Sequence, residues 1–247
     1  MTTNNESKEV GKLFSIGMGP GDPKLLTVRG AEIIRQSPFV FVPTAKLGAE
    51  SVARRIAGPY LSATSEVREI LFPMDPDRKK LEEYWHSAAE QIACVLRQGL
   101  DACFLTLGDP LLYSTNIYLM AALRKILPHA RIEVVPGVPA FCAVAALTEF
   151  SIGEGKEPVT IVPTSDRLDD IRRALAMGGT VVLMKVGKRL GPILDLLEEL
   201  QVTRQAVFVS HAGMPNQQIE FDLRKLRGAS DTTGYLSIIL IKASKGT

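Results

Sequence analysis

A largely apolar run from Ala102 to Leu107 enters Gly108-Asp109-Pro110, and the pair Ser114-Thr115 then opens a helical pattern. So short a run, bounded by turn residues, reads as a strand buried on both faces, the kind found in parallel sheets. Gly lets the backbone approach a neighbour closely, and Pro fixes the turn. Open α/β sheets place their ligands at the carboxyl ends of strands. Asp109 is therefore expected to point its carboxylate into a crevice. An ordinary strand–turn–helix joint with hydroxyl capping is the competing reading of the same residues.

The joint recurs along the chain. Lys12 to Ile16 reads as a first strand that enters Gly17-Met18-Gly19-Pro20-Gly21-Asp22-Pro23, and Thr27 caps a helix with Val28, Ala31 and Ile34 on one side. These glycines fall as G-x-G-x-G, not G-x-G-x-x-G. The second strand, Phe39 to Val42, ends in Pro43-Thr44-Ala45-Lys46 with no acid to hold a ribose. A dinucleotide site thus misses two of its requirements. Helices are expected over Glu50–Ala57, Asp77–Gln98 and Thr115–Leu127, the last with Tyr118, Leu119, Ala122 and Ile126 inward. In the long one, Leu81, Tyr84, Trp85, Ala88, Ile92 and Leu96 share a face. Strands over Val67–Leu71 and Arg131–Val135 alternate with them, which means βαβ units and a parallel sheet.

Pro136-Gly137 is the boundary to expect, dividing the chain into 11–136 and 137–247. A small-residue helix follows it. Strands Val159–Val162, Thr180–Met184 and Ala206–Val209 then alternate with helices Leu168–Ala176 and Leu190–Leu200. Gln218–Leu223 and Tyr235–Ile241 read as a closing pair of strands, joined too tightly for a helical crossover, so this half should hold an antiparallel portion. The 247 residues suit two medium domains. A net charge of +2 gives no electrostatic argument for nucleic acid, which disfavours an RNA-binding or nucleotide-sensing module. The longest apolar runs fall far short of a membrane span, and the polar start lacks a signal segment and reads as a frayed tail. Cys94, Cys103 and Cys142 form no metal or redox motif; they are expected as small core residues in a reduced cytoplasm. His86, His129 and His211 are scattered, and no metal site is visible.

Three stretches in this order, GMGPGDPKLLT (Gly17–Thr27), FLTLGDPLLYST (Phe104–Thr115) and VVPGVPA (Val134–Ala140), resemble the tetrapyrrole methylases. Tyr113-Ser114-Thr115, Phe72-Pro73-Met74 and the terminal GYLSIILIK (Gly234–Lys242) resemble the branch acting on precorrin-2 or cobalt-factor II at C-20. Asn116 stands where that pattern leads one to expect an aromatic residue. The resemblance implies an α/β fold of two αβα domains, the first with a mainly parallel and the second with a mixed sheet. It implies S-adenosylmethionine in the cleft between them, and a homodimer. It places the cofactor on Leu107, Gly108, Asp109, Leu112, Tyr113, Ser114 and Thr115, then on Ala140, Met184, Ala212, Gly213, Met214, Leu236 and Ser237. Met184 is read evenly as an adenine platform or as core filler. The implied reaction methylates the C-20 meso carbon in cobalamin biosynthesis, with Asp109, Lys185 and Tyr235 as candidate proton handlers. A substrate with eight carboxylates asks for cations, and Arg29, Lys46, Arg54, Arg55, Lys188 and Arg189 are the candidates. The alternatives are a methylase of the same fold acting at another ring position and, behind it, a dinucleotide-dependent oxidoreductase.

Overall fold

The computed structural model describes residues 9–46, 48, 51–73, 77–230 and 232–243. The first eight residues, Glu50 and Met74, on which part of the sequence reading rests, lie outside them. The chain divides into two units, Met1–Val138 and Pro139–Thr247, each with its own sheet.

In the first unit β1 (Lys12–Gly17), β2 (Phe39–Thr44), β3 (Glu66–Leu71), β4 (Ala102–Thr106) and β5 (Arg131–Val135) lie in the order β3-β2-β4-β1-β5. Every pairing is parallel. Because β1 and β4 are neighbours, the glycine-rich turns that follow them are neighbours too. β4 is buried along its length, and its alternate residues serve two cores. Ala102 and Phe104 pack with α3 (Arg78–Arg97) and α4 (Asn116–Ile126). Cys103 and Leu105 pack with α1 (Val28–Gln36) and α2 (Val52–Ala57) on the other face. Strand β2 runs on through Pro43, beyond its expected end. Its pairing with β4 stops at Phe41, so the missing proline N–H removes no bond to β4.

Capping follows the sequence closely. Thr27 Oγ1 accepts from Gly30 N at 3.1 Å, Ser51 Oγ from Arg54 N at 3.4 Å, and Asp77 Oδ1 from Lys79 N at 2.9 Å. Two helix faces differ from expectation. Val28 is 76% exposed, and α1 buries Gly30, Ala31, Ile33 and Ile34 instead. On α4 the inward line is Asn116, Leu119, Met120 and Leu123. Tyr118 is left at the surface, its ring stacked on Trp85 with centroids 4.2 Å apart. The buried side chain of Asn116 fixes this phase of the helix.

The second unit orders β6 (Val159–Pro163), β7 (Gly179–Met184), β8 (Ala206–Ser210), β9 (Gln218–Glu220) and β10 (Ser237–Ala243) as β6-β7-β10-β8-β9. β6 and β7 are parallel and the other pairs antiparallel, so the sheet is mixed. The sequence suggests that the two closing strands pair with each other; instead both pair with β8. The apolar run Ile238-Ile239-Leu240-Ile241 needs burial on both faces and takes the centre, whereas Gln218-Ile219-Glu220 takes an edge. α5 (Ala140–Thr148) packs on one face, and α6 (Asp169–Ala176) with α7 (Leu190–Glu199) on the other. Of the cysteines only Cys103 is in a core; Cys94 and Cys142 are exposed, on the outer sides of α3 and α5. No described helix is long and apolar enough to cross a membrane.

Candidate active site

In the first unit the three motifs meet at the carboxyl ends of β1, β4 and β5. Gly108 N donates to Gly19 O at 2.8 Å, and Gly19 N to Gly108 O at 3.3 Å, with φ of +70° and +71° at the two glycines. A Cβ on Gly137 would lie 2.2 Å from Gly108 O, and one on Gly17 would lie 2.5 Å from Gly137 N. The glycines are thus required for three backbones to touch. Asp109 holds the same junction: Oδ1 accepts from Leu111 N at 2.9 Å and Oδ2 from Gly137 N at 3.1 Å. This corrects the expectation of a carboxylate aimed into a crevice, because both oxygens serve backbone amides.

The rest of the loop is divided between anchors and exposed groups. Leu107 and Leu112 are half-buried; Tyr113 is exposed and held at φ +51°. Ser114 is buried, its hydroxyl shared with Thr106 Oγ1 at 2.8 Å and accepting from Asn116 N at 3.1 Å. Ser114 therefore does the capping, and Thr115 is exposed and makes no side-chain cap bond. A Cβ on Gly108 would meet nothing within 4 Å, so the turn is open there.

The second set lies in the other unit. β10 runs antiparallel to β7 and β8, so its start sits beside their ends, with Ile238 opposite Met184 and Ser237 opposite Ser210. Lys185, the turn Ala212-Gly213-Met214, Tyr235, Leu236 and Ser237 therefore gather at one end of the central strands. His211 N donates to Leu236 O at 3.0 Å, Gly213 N to Gln217 Oε1 at 2.8 Å, and Thr164 Oγ1 to Lys185 O at 2.7 Å. Ser237 Oγ donates to Gly234 O at 2.8 Å. Ala140 and half-buried Met184 pack against one apolar cluster with Val144, Ala212 and Ile238. Tyr235 is half exposed, its ring 6.0 Å from that of His211.

Backbone strain marks both sets. Tyr113, Lys185, His211 and Leu236 have φ between +47° and +57°. Non-glycine residues in this region each cost about 1–3 kcal/mol and gather at ligand sites. Among the described residues the other two of this kind, Glu149 and Gln201, sit at the ends of α5 and α7. Sequence reasoning passed over His211 as a site residue, though it stands between a strand end and a small-residue turn. It also left Asn116 without a role; its departure from the motif was the signal.

The candidate substrate cations fall into two groups. Arg29 pairs with Glu133 at 2.9 Å, Arg54 with Glu69 at 3.4 Å and Arg189 with Asp166 at 2.8 Å. Lys46, Arg55 and Lys188 are exposed, and they make no ion pair among the described residues. Lys188 lines a cavity of about 260 Å³ beside the start of α7, which Gly191, Gly228 and Ser230 also border. Among the described residues no group of three His, Cys, Asp or Glu side chains is placed to hold a metal.

Comparison with known proteins agrees with the motifs. The cobalt-precorrin-2 C(20)-methyltransferase of Salmonella typhimurium is 33% identical over 94% of this chain and 96% of its own length. The precorrin-2 C(20)-methyltransferase of a Sinorhizobium species is 28% identical over 96% and 97%. The crystal structure of the uroporphyrin-III C-methyl transferase from Thermus thermophilus, complexed with S-adenyl homocysteine, shares the fold, with a TM-score of 0.65 and 19% identity. It covers 94% of this chain and 97% of that one. The profile of the Tetrapyrrole (Corrin/Porphyrin) Methylases matches residues 12–226, and the chain belongs to that family.

Proposed function

We propose that this chain transfers the methyl group of S-adenosylmethionine to the C-20 meso carbon of precorrin-2 or cobalt-factor II in cobalamin biosynthesis. The near full-length match to relatives named for that reaction carries the reading. Each unit offers groups that suit the cofactor: in the first, a turn open above Gly108, exposed Tyr113 and Thr115 and half-buried Leu107; in the second, half-buried Met184. Bound there, S-adenosylmethionine supplies a methyl already activated on a sulfonium.

The protein's own task is alignment and exclusion of water. The turns that carry Gly108, Leu112, Gly213 and Leu236 bind the cofactor, and left-handed backbone at Gly108, Gly213 and Leu236 gives them their shape. Asp109 keeps the first turn in shape and does not take the proton. The proton leaving the methylated carbon goes to Lys185 Nζ in its neutral amine form, or to Tyr235 Oη as that hydroxyl passes its own proton to water; both residues are exposed, at strand ends of the second sheet. Lys46, Arg55 and Lys188 receive substrate carboxylates first, since the other three candidates already have partners.

The test is titration calorimetry with S-adenosylhomocysteine on the wild type and on Asp109→Ala, followed by turnover of metal-free and cobalt-loaded substrate with the methylated carbon located by NMR. Micromolar binding and a C-20 product are expected. A methyl at another ring position would move the chain to a different step of the same family, and a folded wild type that binds no S-adenosylhomocysteine would overturn the reading.

A further inference from the structure

Asn116 is fully buried at the first position of α4, and its side chain reaches two other elements. Oδ1 accepts from Ser15 Oγ on β1 at 2.6 Å, and Nδ2 donates to Pro110 O in the Gly-Asp-Pro turn at 3.2 Å. Its backbone N donates to Ser114 Oγ at 3.1 Å, which shares a proton with Thr106 Oγ1 on β4 at 2.8 Å. The turn is thus gripped twice. Asp109 ties its front to Leu111 and Gly137, and Asn116 ties its back to β1 and β4. An amide suits the place because it presents an acceptor to the Ser15 hydroxyl and a donor to the Pro110 carbonyl at once. An aromatic or aliphatic side chain would leave both of those groups without a partner in the interior.

We infer that Asn116 is a positioning residue: through the Pro110 carbonyl it sets the shape of the turn from Leu107 to Ser114 on which the cofactor rests. The inference rests on the cofactor reading above. The bond to Pro110 carries the effect, and the bond to Ser15 only orients the amide.

Two substitutions separate the bonds. Asn116→Ala removes both, and Ser15→Ala leaves the Pro110 bond in place. Titration with S-adenosylhomocysteine should find Kd raised about tenfold in Asn116→Ala and less than about threefold in Ser15→Ala. In turnover, Asn116→Ala should raise KM for S-adenosylmethionine with kcat within about twofold of wild type. A loss of folded enzyme would lower kcat and leave KM unmoved. Should Asn116→Ala fail to fold, the similarly sized Asn116→Leu is read by the same criterion, since it fills the space and makes neither bond. Equal shifts in Kd for the two variants, wild-type affinity in the Asn116 variant, or a fall in kcat at constant KM would overturn the positioning role alone. A wild type that binds no S-adenosylhomocysteine would overturn the cofactor reading and this inference with it.

Discussion

Glu133 lies on β5 between two cations, with Arg29 Nη2 at 2.9 Å and Lys12 Nζ at 3.1 Å. Hydrogen bonds from Arg29 and then Lys12 hold its carboxyl below the ordinary glutamate value. A carboxyl depressed in the folded state contributes stability at pH values above its unfolded range and loses it as pH falls through the folded value. All three side chains are partly exposed, so the effect at neutral pH is below about 1 kcal/mol. Glu133→Gln should lower the urea midpoint slightly at pH 7, and the gap to wild type should close as the solution becomes strongly acid. A gap that stays constant with pH would mean that the ion pairs contribute nothing and that only packing was lost. Cys103 makes the opposite case. Burial pushes its thiol up to about 12, and with Ser37 at 2.6 Å it stays a neutral core group.

At the scale of elements, backbone approach decides what can change. Alanine at Gly137 would drive a Cβ to 2.2 Å from the Gly108 carbonyl and 2.7 Å from Gly17, all backbone atoms that cannot step aside. Gly137→Ala should lose about 1–3 kcal/mol by overpacking and weaken S-adenosylhomocysteine binding with it. Gly191 is the counterpart, a residue of α7 with nothing within 4 Å of an added Cβ. Because Pro192 follows, its ring disfavours helical backbone at a residue that carries a Cβ, and Gly191→Ala should change stability by less than about 0.5 kcal/mol. Chemical denaturation of the two variants checks both, and a tolerated Gly137→Ala would mean that the three turns are not in contact. Strands such as β1, β2 and β4 were legible because each is a largely apolar run closed by Gly or Pro. Helix phases were less so, since the apolar count around Tyr118 ignored a buried amide two residues earlier. The partner of β10 was not legible, because adjacency along the chain favoured β9 while two-sided apolarity placed it in the centre. Of the candidate site, the glycines and Asp109 were readable as motifs. The direction of the Asp109 carboxylate and the part played by Asn116 were not, since one depends on the Gly137 amide and the other on the Ser15 hydroxyl, both far along the sequence.

The whole molecule is two units with an apolar cluster on each face of each sheet. A unit with its own core is a candidate for its own cooperative transition. Heating the ligand-free protein should therefore give a calorimetric enthalpy larger than the van't Hoff value, with two overlapping transitions. The proposed cofactor contacts are divided between the units, with Gly108, Tyr113 and Thr115 in one and Met184, Ala212 and Leu236 in the other. A ligand that binds only the native state stabilises by about 2.7 kcal/mol at a hundredfold excess over its Kd. If the cofactor needs both sets of residues, melting either unit releases it, and S-adenosylhomocysteine should raise both transitions and draw them together. Scanning calorimetry with and without S-adenosylhomocysteine reads this directly. A rise in one transition alone would assign the cofactor to a single unit and remove the other unit's residues from the proposed contacts.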